Sequence, residues 1–212
     1  MPDPFADLIP DARAFLTELA QNNSRDWFTA HKDQYETALK RPALLLLDHF
    51  AAGLSAQTDH PVTTKLFRPH RDVRFSKDKT PYNTHLHMLW QVGQAALFFG
   101  VAPGYVTFGG GVMAFDKNQL TNWRAAVDSD KGSDIADLTQ TLAAKGYTPD
   151  AAELKRVPAP YDKDHPHAEL LRHKSFKLWR QVPEQDWPTP IAALQSSADD
   201  LGPLLDLLNR TL

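Results

Sequence analysis

A chain of 212 residues, 42% hydrophobic and 23% charged, is long enough to bury a substantial core and too apolar to be disordered along most of its length. The absence of cysteine excludes disulfides, thiolate metal sites and cysteine nucleophiles, and suits a reducing, cytoplasmic setting. A net charge of -3 argues against a general polyanion binder; the N-terminus is acidic where a secretory leader is basic, and no run approaches the ~18 apolar residues of a membrane span.

In chain order, the first 56 residues carry helical spacing. Residues 1–14 are expected to form a flexible N-terminal extension of a single domain spanning 1–212. "DARAFLTELAQNN" then places Ala14, Phe15 and Leu19 on one helical face. "SRDWFTAHKDQYETALK" opens at Ser24, a suitable N-cap, and sets Trp27, Phe28, His31 and Tyr35 on one side. Arg41-Pro42 begins a third helix at the position proline tolerates best.

Past His60 the period changes to two. "TKLFRPHRDVRF" reads as a broken strand, and "THLHMLWQV" alternates Thr84, Leu86, Met88 and Trp90 against His85, His87, Leu89 and Gln91. "AALFFGVA" and "YVTFGGGVMAF" follow, joined by a turn at Pro103-Gly104, so short connections favour antiparallel pairing. Asp116 with Gln119 forms a capping-box pattern ahead of "QLTNWRAAVD", and "SDIADLTQTLAAKG" is a helix stopped by Gly146. "ELKRV" is expected to be a strand, followed by a proline-rich loop, a short helix, a strand near Phe176 and a last helix from about Thr189 to Leu212. The expected fold is a single α+β domain, its mainly antiparallel sheet covered by N-terminal and C-terminal helices, with Trp90, Phe98, Phe108 and Trp123 buried.

Charge is unevenly spread. From Lys65 to His85 six bases face two acids, a local +4, so the rest of the chain carries -7. The centre of this segment is "RDVRFSKDKTPYNTH", Arg71 to His85. Read as a strand, it sets Arg71, Val73 and Phe75 on one side and Asp72, Arg74 and Ser76 on the other. Guanidinium forks fit phosphate or carboxylate bidentately, and lysines add diffuse positive charge. Arg71, Arg74, Lys77, Lys79 and Tyr82 are therefore candidate ligand-binding residues, with Arg74, Lys77 and Lys79 the preferred set and Arg71 the base most suited to an internal acid. The structural alternative is that Asp72 and Asp78 neutralise these bases to fix a loop.

Other signals are less specific. The glycines of "TFGGGVMAF" lack the strand-to-helix context of a dinucleotide loop and fit a bulge or a close approach better, so no cofactor is expected. His85 and His87 share a strand face, but two histidines without an acidic ligand at a recognisable spacing do not define a metal site, and none is assigned. His85, beside the basic segment, is a candidate ligand or proton-transfer residue. Trp27 in "RDWF" is suited either to stacking on a ligand or to anchoring the core. Nucleic acid is a poor fit to the overall acidity, despite six local bases.

"FLTELAQNNSRDWFTAHKDQYE", "FRPHRDVRFSKDKTPYNTH", "GGGVMAF" and "LKRVPAPYDKDHPHAELLRHKSF", in this order, resemble the family catalogued as domain of unknown function 2461. The R-D-x-R-F-S-K-D-K-T-P-Y core runs unbroken from Arg71 to Tyr82, with Asn83 standing where the family pattern implies a lysine. The resemblance implies one α+β domain and directs attention to Arg25, Asp26 and Trp27 beside the basic motif, but it implies no activity. Three functions are thus expected as candidates: binding of a small phosphate- or carboxylate-bearing ligand; an enzyme on such a substrate, with His85 or Asp72 exchanging a proton; and a purely structural salt-bridge network.

Overall fold

The computed structural model describes residues 3–212. Six strands, β1 (Val62–Leu66), β2 (Leu86–Val92), β3 (Ala95–Ala102), β4 (Tyr105–Val112), β5 (Thr148–Pro149) and β6 (Phe176–Gln181), form one antiparallel sheet of order β1-β2-β3-β4-β6-β5. The α+β class expected from the sequence is the class observed. Every residue of β3 is buried, as befits an interior strand, while β2 buries only alternate residues. Trp90, Phe98, Phe108 and Trp123 are all at most 3% exposed. No helix among the described residues is long and apolar enough to cross a membrane.

The chain forms two compact units, the first made of residues up to Trp90 with Phe98–Phe108 and Gln181–Ser196. It holds α1 (Leu8–Gln21), α2 (Arg25–Ala30), α3 (Lys32–Gln34), a π-helical segment at Tyr35–Lys40 and α4 (Arg41–Ser55). Helix α1 buries Leu8, Ile9, Ala12, Phe15, Leu16 and Leu19 along one stripe. Within the expected extension, Phe5 is also buried and Asp3 accepts a hydrogen bond from the Ile191 amide at 3.0 Å. Ser24 caps α2 by accepting from the Trp27 amide. The single helix expected from Ser24 to Lys40 instead breaks at His31, where φ of -108° and ψ of 14° leave the helical region. Helix α4 packs against β1 and holds β2 as well: the Trp90 indole N–H donates to Leu47 O at 3.0 Å, and Phe50 meets the same ring edge-on.

The second unit comprises Gln91–Leu97, Gly109–Arg180 and Ser197–Leu212. It contains α5 (Lys117–Val127), α6 (Lys131–Ala144), α7 (Ala168–Leu171) and the larger part of α8 (Pro190–Thr211). Asp116 and Gln119 make the reciprocal capping box expected at α5. Trp123 donates to Leu170 O and lies between Phe115 and Phe176. The triple glycine is a packing device. A Cβ on Gly109 would lie 2.5 Å from Leu178 O, and one on Gly111, whose φ is +135°, would lie 2.7 Å from the Lys177 Cα and closer still to Phe176 O. The strand expected at "ELKRV" is not formed. There the Glu153 carboxylate accepts from the Lys174 amide and the Ser175 hydroxyl, substituting side-chain bonds for a ladder, and the short edge strand is Thr148–Pro149 instead.

Candidate functional site

The basic motif lies wholly in the first unit, and its residues Arg71–Thr80 form a loop, not the strand read from their alternation. The base of the loop is closed by the His70–Tyr82 bridge, by the Arg71 amide donating to Pro81 O at 2.9 Å, and by the Asn83 amide donating to Pro69 O at 2.7 Å. Inside it, nearly every charge meets a partner. Arg71 donates to Asp78 at 2.6 Å, to Thr80 O at 3.2 Å and to the Thr80 hydroxyl. Arg74 grips Asp72 through Nε at 3.0 Å and Nη2 at 2.7 Å. Lys79 donates to Val73 O at 2.9 Å. Alternation fails here because local side-chain bonds offer the backbone a turn in place of a ladder.

These contacts shape the titration of the loop. The Thr80 amide, then Arg71 and the Thr80 hydroxyl, hold the Asp78 carboxyl down to about 2. Hydrogen bonds from Arg74 lower that of Asp72. Lys77 remains exposed and forms no ion pair among the described residues, and Phe75 at the tip is 95% exposed.

The loop is fastened to the N-terminal helices by its last residues. Asn23 acts as a surrogate strand: its Nδ2 donates to Tyr82 O at 2.9 Å, and its Oδ1 accepts from the Tyr82 amide at 3.1 Å. The Tyr82 ring stacks on Phe28 with centroids 4.1 Å apart and planes 14° from parallel. His70 packs edge-on to both rings. The segments "NNSRDWF" and "KTPYN", distant in sequence, thus meet as one structural joint. Trp27, half-buried, stacks on His31 at 4.0 Å and contacts Phe15. Arg25 and Asp26 stand exposed in the first turn of α2.

Beside this joint lies a groove of about 410 Å³, a size suited to a small ligand. Its apolar walls are Phe28, Tyr35, Leu44, Leu66, Phe67 and Pro69. Its charged groups are Lys32, Glu36, Lys40 and Arg68, with His70 completing the lining. Glu36 and Lys40 pair at 2.8 Å. The side chains of Lys32 and Arg68 form no ion pair or hydrogen bond among the described residues, although the charge of Arg68 is felt at Asp72. Tyr35 comes from the π-helical segment, a distortion that often marks functional positions. The residue is only 6% exposed, and burial, with a smaller push from Glu36, raises the phenol to about 12. Its hydroxyl bonds to no described residue. Sequence reading passed over Lys32, Tyr35 and Arg68 as site residues. Helical spacing sets Tyr35 on one side with Trp27, Phe28 and His31, and only tertiary packing brings it into one groove with Arg68.

His85 and His87 do come together, stacked with centroids 3.7 Å apart. His87 Nε2 lies 2.7 Å from the Tyr105 hydroxyl. Burial, with the neighbouring His85 adding to it, lowers the His87 pKa to about 4, and burial lowers that of His85. Neutral imidazoles stacked face to face form a packing pair at the start of β2, His85 just before the strand and His87 within it; His70 instead joins Phe28 and Tyr82.

With this geometry in place, the similarity of the chain to known proteins is informative about family. The family model described as "Conserved hypothetical protein (DUF2461)" matches residues 11–207. No curated protein matches the sequence significantly. The chain belongs to the DUF2461 family.

Proposed function

We propose that the protein binds a small organic anion, bearing phosphate or carboxylate, in the groove formed by α2, α3, the π-helical segment, the start of α4 and residues 66–70. The observation that carries this reading is the presence of two cations without an ion-pair partner among the described residues, Lys32 and Arg68, on a ligand-sized, largely apolar depression whose other charges, Glu36 and Lys40, pair with each other. A guanidinium that donates to no protein acceptor keeps its full fork for a ligand, whereas Arg71 and Arg74 are already engaged by Asp78 and Asp72. The basic loop therefore contributes chiefly by construction: its closed base holds Pro69 and His70 in the groove wall. Lys77 adds positive field.

Calorimetric titration of phosphate- and carboxylate-bearing small molecules into wild type, Arg68→Ala and Arg74→Ala tests the assignment. A charge-assisted contact contributes about 1.5–3 kcal/mol, so Arg68→Ala is expected to weaken binding ten- to a hundredfold and Arg74→Ala less than threefold. The reverse ranking moves the site to the loop. Absence of any binding below millimolar concentration rejects the function.

A further inference from the structure

Resting on the reading that the groove takes an anion, we infer that its ligand is amphipathic: an anionic head on a flat apolar body, with an acceptor placed to take a hydrogen bond from the Tyr35 hydroxyl. Two features of the groove restrict the ligand beyond its charge. The first is the composition of the walls. Phe28, Tyr35, Leu44, Leu66, Phe67 and Pro69 offer rings and aliphatic surface, and the one acid, Glu36, is occupied by Lys40. A polyol entering such a space surrenders hydrogen bonds to water and finds few replacements, which disfavours sugar phosphates. An aromatic body gains from the same walls by burial and ring packing.

The second feature is Tyr35 itself. The residue is only 6% exposed and its hydroxyl has no protein acceptor among the described residues, so the O–H at the groove wall is open to an acceptor on a ligand. Burial beside Glu36 keeps the phenol protonated through the physiological range. The groove thus combines a neutral donor within its lining with two cations, Lys32 and Arg68, and this set matches a carboxylate or phosphate ester on a ring better than a bare inorganic anion.

The test uses the full chain and five probes: 1-naphthyl phosphate, 1-naphthoate, glucose 6-phosphate, inorganic phosphate and the neutral 1-naphthylmethanol. Isothermal titration is expected to show the two naphthyl anions binding at least tenfold tighter than glucose 6-phosphate or inorganic phosphate. Tyr35→Phe, which keeps the ring and its packing, is expected to weaken naphthyl anion binding three- to tenfold at an unchanged melting temperature, while leaving inorganic phosphate unaffected. If glucose 6-phosphate or inorganic phosphate binds as tightly as the naphthyl anions, the amphipathic inference is overturned and the anion site stands. If 1-naphthylmethanol binds as tightly as 1-naphthoate, the groove is an apolar site and the anion reading itself falls. Equal affinities of Tyr35→Phe and wild type for every probe remove the hydroxyl from the site.

Discussion

The joint between Asn23 and Tyr82 carries a quantitative expectation. Asn23→Ala deletes both side-chain bonds that hold the Tyr82 peptide, at 2.9 and 3.1 Å. Each such bond contributes a net ~1 kcal/mol, and because Tyr82 is only 6% exposed its peptide has restricted access to replacement water, which adds a desolvation cost. The expected loss is about 2–3 kcal/mol, seen in urea unfolding as a midpoint lowered by roughly 1–1.5 M for a slope of ~2 kcal/mol/M. Hydrogen exchange gives a local reading of the same event: protection of the Tyr82 amide should fall by one to two orders of magnitude. Asn22→Ala is the matched control, since that exposed side chain bonds only to Glu18 O of its own helix. A loss below about 0.5 kcal/mol for Asn23→Ala, with Tyr82 protection unchanged, would refute the claim that this amide fastens the basic loop to α1 and α2.

Two further outcomes follow from the packing. Gly111→Ala places a methyl against the Phe176 and Lys177 backbone at a φ of +135°, so a loss above about 3 kcal/mol in denaturant unfolding is expected, against little change for Gly104→Ala, where a Cβ meets nothing within 4 Å. Comparable stabilities of the two variants contradict the close approach. His87 is held neutral in the fold with its pKa depressed from 6.5 to about 4, so the unfolded chain takes up its proton first and stability is lost as pH falls through 6.5 toward 4, levelling below that. The upper bound is about 3 kcal/mol, reduced to about 1–2 kcal/mol by partial contact of the ring with solvent; His87→Gln should remove this part of the acid sensitivity when unfolding free energies at pH 7 and pH 4.5 are compared. An identical pH dependence in the variant rules out His87 as its source.

Much of the architecture was legible in the linear chain because its causes are local. Ser24 and the Asp116–Gln119 pair satisfy amides within one turn of themselves, the alternation of "LHMLWQV" needs only one buried sheet face, and helix α6 ends where Gly146 takes a φ of +87°. The same locality misled at three places, the first being the helix from Ser24 to Lys40, which breaks at His31. The alternation around Arg71 gave way to Asp72, Asp78 and Thr80, whose side chains bind neighbouring groups and close a loop. The "ELKRV" segment gave its ladder position to the Glu153 carboxylate.

The candidate site divides along the same line. Sequence alone determined that positive charge concentrates between Lys65 and His85, since charge is a property of the chain itself. Which of those charges are spent internally, and which remain for a ligand, was decided only by tertiary structure. Asp78 lies within reach of Arg71 because the loop folds back on itself, and Tyr35 and Arg68, 33 positions apart, line one groove because α2, the π-helical segment and residues 66–70 pack around Phe28 and Tyr82. Contacts across such separations depend on the burial of apolar surface by the whole unit, a cooperative quantity that no window of sequence contains.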